Sequence, residues 1–193
     1  MAQTSTTLSG EKSHMSTNIT GTDISIATTG TISSTGTVLT GSGKLAVRDL
    51  VTITGTTNNN STFTVKEVVS TTEFTVEETI ATGDDADGSS TFTLDMTGFV
   101  TDKAKGDGYY SQPDGVHTVA YQVNATLAGS IKMQGSLATT PTEDDWFDVS
   151  GTTFTADQST LISTANFTGN FVWIRAKATS ITAGTISSVL SNS

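Results

Sequence analysis

Residues 45–76 read LAVRDLVTITGTTNNNSTFTVKEVVSTTEFTV, and this stretch decides the fold class. Apolar residues alternate with polar ones in three short runs, a period-2 pattern that predicts half-buried β-strands. Residues 56–61 and 70–72 separate the runs and are typical of turns, since Asn tolerates positive φ and Ser and Thr bond nearby backbone. The stretch therefore predicts a three-stranded antiparallel meander with one face toward solvent. The apolar members of the pattern are Leu45, Val47, Val51, Ile53, Phe63, Val65, Phe74 and Val76.

The segments around the meander suggest where domains begin and end. Thr-Gly pairs punctuate residues 19–41, and a further strand pattern follows at Phe92, Leu94 and Met96, so we predict one small barrel or sandwich domain over 18–98. Residues 1–17 lack repeated apolar spacing and suggest an extended arm or a disordered tail. Residues 99–115 are charged, broken by glycine and end in Pro-Asp-Gly, which predicts a linker.

Alternation resumes over residues 116–193, where Val119, Tyr121 and Val123 share one parity. Residues 171–174 (FVWI) are apolar on both parities, which indicates a central strand covered on both faces. We expect Trp146 and Trp173 to pack between two sheets of a β-sandwich. The chain is therefore predicted to be all-β, with two small antiparallel domains and no long helix.

Composition excludes several classes of function. With 9 basic and 19 acidic residues the net charge is −10, whereas a protein that follows nucleic acid needs a basic face. The absence of cysteine excludes disulfides and thiol chemistry, and no apolar run is long enough to span a membrane. No secretory signal is visible at the N-terminus. Ser and Thr together make up about a third of the residues.

Two acidic segments are candidate sites. Asp84, Asp85 and Asp87 could form a loose surface calcium site, although the spacing around Gly88 does not match a calcium-binding EF-hand loop. The alternative is a solvated hairpin tip that discourages edge pairing. The second segment, residues 143–148, contains four carboxylates, but glycoside cleavage needs two of them held across a cleft with one desolvated. Trp146 in this segment could stack on a sugar ring or anchor a core.

Four segments of the second half carry a resemblance to known proteins: 129–137 (GSIKMQGSL), 145–149 (DWFDV), 168–177 (TGNFVWIRAK) and 183–186 (AGTI). In this order they resemble β-sandwich structural modules of tailed-phage virions, especially phages of marine cyanobacteria. The order is also similar to the discoidin or galactose-binding type of jelly roll. The resemblance covers about 116–193 and implies a jelly-roll β-sandwich there; residues 45–78 are similar to small β modules of phage structural proteins.

The resemblance implies a non-enzymatic structural protein on the exterior of a virion, either a capsid decoration or a component of a tail fibre or appendage. Such a protein would dock on other capsid or tail proteins and self-associate, as a trimer by analogy, without a cofactor, nucleic acid or membrane insertion. The alternative is a receptor- or glycan-binding module of a tail fibre. Its contact residues would be Trp146, Tyr109, Tyr110 and the loop 139–148, and its partner a glycan of the host surface.

Overall fold

The structure, a computed structural model, describes residues 5–110, 115–156 and 159–192. It confirms the all-β prediction, because antiparallel strands dominate these residues and the helical content is two short 3₁₀ turns, Asp107–Tyr110 and Glu143–Asp145. The strands in chain order are β1 (Ser5–Ser9), β2 (Lys12–Ser13), β3 (Ile19–Gly21), β4 (Ile24–Ile26), β5 (Thr31–Ser34), β6 (Asp49–Thr54), β7 (Thr62–Ser70), β8 (Glu73–Val76), β9 (Asp84–Asp85), β10 (Phe92–Val100), β11 (Ala104–Lys105), β12 (Val116–Val123), β13 (Ala128–Ser136), β14 (Phe147–Asp148), β15 (Phe154–Thr155), β16 (Ile162–Thr168), β17 (Trp173–Ala183) and β18 (Thr185–Asn192).

The chain divides into two compact units, of which one comprises residues 15–99. The strands of this unit pair in the order β10-β6-β7-β8-β5-β4-β9, and β3 also pairs with β10. Only Thr22 and Asp23 separate β3 from β4, which lies near the opposite end of that order, so the sheet curls toward a small barrel. Its interior holds mainly β-branched and aromatic side chains, which suit a pleated surface. The largest of these are Ile24, Ile26, Ile32, Ile53, Phe74 and Phe92.

The meander predicted from residues 45–76 is present as β6, β7 and β8, each antiparallel to the next. Val51, Ile53, Val65 and Phe74 are buried as the alternation predicts. Val47 departs from the pattern and is exposed. The cause is local: Arg48 has a φ of 72°, a left-handed conformation that breaks the strand geometry before β6 begins.

The second unit comprises residues 1–14 and 100–193, and its described part is a β-sandwich of two antiparallel sheets. The first sheet pairs its strands in the order β1-β18-β12-β16, with β2 also on β18. The second sheet is built on β13 and β17, which pair along most of their length. Short strands extend it: β14 and β15 lie on β13, and β11 lies on β17.

The N-terminal residues differ from the extended arm suggested by the sequence. Ser5 to Ser9 pair antiparallel with β18, and Leu8 is buried, so this segment is an edge strand of the sandwich. Part of the suggested linker also belongs to this unit, because it forms β11 and the first 3₁₀ turn. Residues 1–4 and 111–114 of these two predicted segments lie outside the described residues.

The sandwich core combines Tyr, His and Phe side chains with many aliphatic ones and contains neither tryptophan, which corrects the expectation that both pack between the two sheets. Tyr121 of β12 is 1% exposed, and its hydroxyl donates a hydrogen bond of 2.9 Å to the Thr152 carbonyl oxygen. His117 stacks on Phe167, with ring centres 5.0 Å apart. Trp173 shares a face of β17 with Arg175 and Lys177, opposite to buried Ile174. Both tryptophans are half-buried on the outer side of the second sheet.

Candidate functional site

The outer face of the second sheet brings charged and aromatic side chains together. Because side chains alternate along a strand, burial of Ile174, Ala176 and Ala178 directs Trp173, Arg175 and Lys177 of β17 away from the core. The register then places Gln134 opposite Arg175 and Ser136 opposite Trp173.

Arg175 is the centre of a buried polar cluster on this face. Its Nη1 and Nη2 each donate a hydrogen bond of 2.7 Å to one carboxylate oxygen of Glu143, and its Nε donates a bond of 2.9 Å to Gln134 Oε1. The guanidinium carbon lies 4.2 Å from the centre of the Trp146 ring. With the Arg175 side chain only 3% exposed, this two-point ion pair holds the 143–146 turn down on the sheet.

The structure gives three of the four carboxylates of residues 143–148 a local partner: Glu143 pairs with Arg175, and Asp145 and Asp148 accept hydrogen bonds from neighbouring residues. Asp145 accepts hydrogen bonds from the Thr142 backbone N–H and hydroxyl, and these bonds lower its pKa. Partial burial raises the pKa of Asp148, but the hydrogen bonds from Lys132 and Gln134 and the charges of Lys132 and Lys177 outweigh it and leave the pKa lowered. A general acid of a glycosidase needs a raised pKa, so neither group has the environment of one.

Tyr109 and Tyr110 lie at the end of the first 3₁₀ turn and are 45% and 57% exposed. The ring centre of Tyr109 is 5.2 Å from that of Tyr110 and 5.3 Å from that of Trp173. Trp173 is fixed in turn by its indole N–H, which donates a hydrogen bond of 3.0 Å to the Thr139 carbonyl oxygen. The three rings form a continuous aromatic surface beside β11.

Two lysines cover this aromatic surface. Lys105 Nζ lies 4.0 Å from the ring centre of Tyr109 and 5.7 Å from that of Tyr110, and Lys103 Nζ lies 4.8 Å from the ring centre of Trp173. Both contacts are within cation–π range. We call the set of Lys103, Lys105, Tyr109, Tyr110 and Trp173 the aromatic–lysine cluster.

Of the three residues that the sequence suggested as ligand contacts, the structure places Tyr109 and Tyr110 together and Trp146 apart from them, over Arg175. Sequence reasoning missed Lys103, Lys105 and the role of Trp173 in the aromatic surface. The alternation of Lys103, Ala104 and Lys105 was the available signal, because it places both ammonium groups on one face of a strand.

A groove of about 250 Å³ adjoins the cluster within the sandwich unit. It is bordered by Thr6 and Thr7 of β1, by Tyr110, and by Asp102, Lys103 and Lys105. The groove therefore combines hydroxyl groups, a carboxylate, two ammonium groups and one aromatic ring.

The outer face of the first sheet has a different character, because β1, β12, β16 and β18 contain no Asp, Glu, Lys or Arg. We call this surface the neutral face. Hydrogen bonds join its strands, such as the bond of 2.9 Å from the Thr118 hydroxyl to Asn166 Oδ1. Its outward residues are Ser5, Thr7, Val116, Thr118, Ala120, Gln122, Ile162, Thr164, Asn166, Thr168, Ser188, Leu190 and Asn192.

The three aspartates suggested for calcium lie in the unit of residues 15–99 and have separate roles. Asp84 accepts hydrogen bonds from the backbone N–H groups of Thr57 and Asn58 and from the Asn59 side-chain amide. Asp85 pairs through its backbone with Ser25, and Asp87 accepts hydrogen bonds from the Ser89 hydroxyl and N–H, which lower its pKa. Within the described residues no three His, Cys, Asp or Glu side chains are grouped to hold a metal ion.

Comparison with known proteins adds no relative: no protein-family model matches the chain, and no curated protein matches it by sequence. None of the helices in the described ranges is long and apolar enough to cross a membrane.

Proposed function

We propose that this chain is a non-enzymatic structural protein of a phage virion exterior, which acts by docking on other virion proteins and by associating with copies of itself. The neutral face carries the proposal. A chain of net charge −10 repels its own copies, and contact is least unfavourable through a surface free of charge.

The composition of the neutral face also favours contact between proteins. Val116 and Ile162 are 55% and 58% exposed, and Ala120 and Leu190, which pair across β12 and β18, share this face. Apolar groups of this kind gain from burial, and the surrounding Thr, Ser and Asn side chains can pair across an interface. The occupant that we propose is a second copy of this chain, and the phage resemblance favours a trimer.

The test is the mass of the purified full chain by analytical ultracentrifugation, with a charge placed on the neutral face. Thr164→Lys brings like charges together in a symmetric assembly, so we expect it to shift the protein to monomer. Thr182→Lys is the matched control, because Thr182 is an exposed strand residue of the other sheet. A wild-type protein that is monomeric at all concentrations, or a Thr164→Lys assembly unchanged from wild type, would overturn the self-association. Antibody labelling of intact virions tests the exterior location.

A second candidate function, a receptor- or glycan-binding module, is favoured by the exposed aromatic surface. Aromatic rings held in fixed positions and open to solvent are the usual platform for a sugar ring. Tyr110 is the most exposed of the three rings, and Tyr110→Ala is therefore a sharper probe than Trp146→Ala, which also uncovers the ion pair of Arg175. Loss of glycan-array binding by Tyr110→Ala with unchanged circular dichroism would support this function, and an array without signal for wild type would remove it.

A further inference from the structure

We infer that the groove beside the aromatic–lysine cluster binds a saccharide that carries a carboxylate. This inference rests on the glycan-binding candidate function and specifies the class of its ligand. Neither the sequence nor the resemblance identified Lys103, Lys105 or the groove.

Lys103 and Lys105 differ from other basic residues of the sandwich unit in the groups that they contact. In a chain with 19 acidic and 9 basic residues, a lysine has an excess of carboxylates available to it. Lys132 and Arg175 each pair with a carboxylate on the same sheet, Asp148 and Glu143. Among the contacts within the described ranges, Lys103 and Lys105 instead contact aromatic rings and form no ion pair.

The positions of the two ammonium groups beside the groove also favour an anionic ligand. Lys105 lies opposite Trp173 in the register of β11 and β17, and Lys103 comes two residues earlier, just before β11 begins. The rings of Tyr109 and Trp173 hold the two ammonium groups at the edge of the groove, and both lysines line it. Each ammonium group has three N–H donors, and a cation–π contact with a ring face occupies none of them in a hydrogen bond. Both lysines therefore retain donors for an anion.

The other groups that line the groove favour a sugar over a small inorganic anion. Thr6 and Thr7 supply hydroxyls that donate and accept, and Tyr110 supplies an exposed ring. Asp102 also lines the groove; it already takes part in an interaction, and a carboxylate has room to accept several hydrogen bonds from hydroxyl groups. A small inorganic anion would leave the ring and the hydroxyls unused.

The volume of the groove matches that of one sugar residue. A volume of about 250 Å³ corresponds to roughly eight water molecules at ~30 Å³ each. That is room for one sugar ring with its substituents, so the groove would hold one acidic residue of a longer chain whose neighbours extend across Tyr109 and Tyr110.

The test uses the full-length chain and an array of oligosaccharides containing galacturonate, glucuronate, mannuronate or sialic acid, each beside its methyl ester. Esterification removes the charge and keeps the sugar skeleton. We expect at least one acidic oligosaccharide to bind, and its ester to bind about tenfold more weakly, because charge-assisted hydrogen bonds are lost. Lys103→Met and Lys105→Met keep the apolar stem that packs on the rings, and each should weaken binding about tenfold. Lys66→Met, at an exposed lysine of β7, is the matched control and should bind as wild type.

The outcomes are distinguishable. Equal binding of acid and ester, or full binding by both lysine variants, would overturn this inference and leave the glycan-binding candidate standing. Binding of no oligosaccharide would overturn both. A polyglutamate peptide that binds as tightly as the best oligosaccharide would assign the groove to acidic protein partners and overturn the saccharide. Circular dichroism of each variant verifies that the fold is kept.

Discussion

The guanidinium carbon of Arg175 lies 4.2 Å from the centre of the Trp146 ring, on the side of the second sheet that faces away from the core. The ring closes over an arginine that donates three hydrogen bonds to Glu143 and Gln134, and it shields that ion pair from water. Tryptophan commonly anchors a hydrophobic core, whereas Trp146 covers a polar cluster on the outer side of the sheet.

Glu143→Gln should lower the free energy of unfolding by about 2 kcal/mol, because it leaves the charge of a buried arginine without its counter-ion. The cost stays below that of a fully buried pair, since the Glu143 side chain is 25% exposed and water screens part of the interaction. Urea unfolding followed by tryptophan fluorescence measures the change. Asp144→Asn, an exposed neighbour in the same turn, should have little effect, and an equal loss in both variants would contradict the importance of the ion pair.

Tyr121→Phe should make stability less sensitive to alkali. Burial raises the pKa of the Tyr121 phenol above its usual value of 10.0. A raised pKa means that the contribution of this group is complete below about pH 10 and is lost as the pH rises further, when the unfolded chain ionises first. Near neutral pH the variant should be less stable by about 1–2 kcal/mol, because the Thr152 carbonyl loses its donor.

The measurement for Tyr121 is the free energy of unfolding between pH 7 and pH 11 for wild type and variant. The difference in the free energy of unfolding between wild type and Tyr121→Phe should become smaller above pH 10. Tyr110→Phe is the control at an exposed phenol. A gap that stays constant to pH 11 would show that Tyr121 ionises in the folded protein.

Asp23→Asn should reduce stability at neutral pH but not near pH 2. The Asp23 carboxylate accepts hydrogen bonds from the Thr37 hydroxyl, the Thr37 N–H, the Gly36 N–H and the Thr35 hydroxyl. These bonds, with the Thr37 hydroxyl the largest cause, lower its pKa from 3.8 to about 2. Its contribution is therefore present above about pH 4 and is lost as the pH falls toward 2.

The difference in Tm between wild type and Asp23→Asn should shrink as the pH is lowered from 5 to 2, as measured by differential scanning calorimetry. Asp85→Asn, at an exposed carboxylate of the same unit, provides the comparison. A Tm difference that persists at pH 2 would mean that the loop at 35–37 depends on the shape of Asp23 and not on its charge.

Gly184→Ala should destabilise the sandwich unit by about 2 kcal/mol or more. Gly184, between β17 and β18, has a φ of 85°, and a Cβ there would lie 2.4 Å from the backbone N of Leu127. Both the strained conformation and the collision oppose the substitution. Gly10→Ala is the matched control, because a Cβ at Gly10 would meet no atom within 4 Å. Thermal unfolding of both variants measures the difference in stability. Equal melting temperatures would contradict the prediction that an alanine at position 184 is strained.

The sequence allowed the meander to be predicted because Thr and Lys alternate with Val and Phe there, so only one face can be buried. It did not reveal the position of Trp173, since Trp173 and Ile174 are both apolar and period 2 does not say which of them faces the core. The pairing of Ser5–Ser9 with β18 was equally hidden. That segment has only Leu8 to mark its buried face, and its partner lies almost a whole chain away. The aromatic–lysine cluster depends on the same kind of distant pairing, between β11 and β17.

The pairing of β1 with β18 also sets an order of events during synthesis. Residues 15–99 form a continuous unit whose synthesis is complete before translation reaches β12. The sandwich, in contrast, contains the first described strand and the last one, so β1 waits without its partner until translation reaches β18. Closing such a long loop is slow, and β1 stays exposed to other chains meanwhile. Its Ser- and Thr-rich composition, with a single large apolar side chain, keeps that waiting strand a poor template for aggregation.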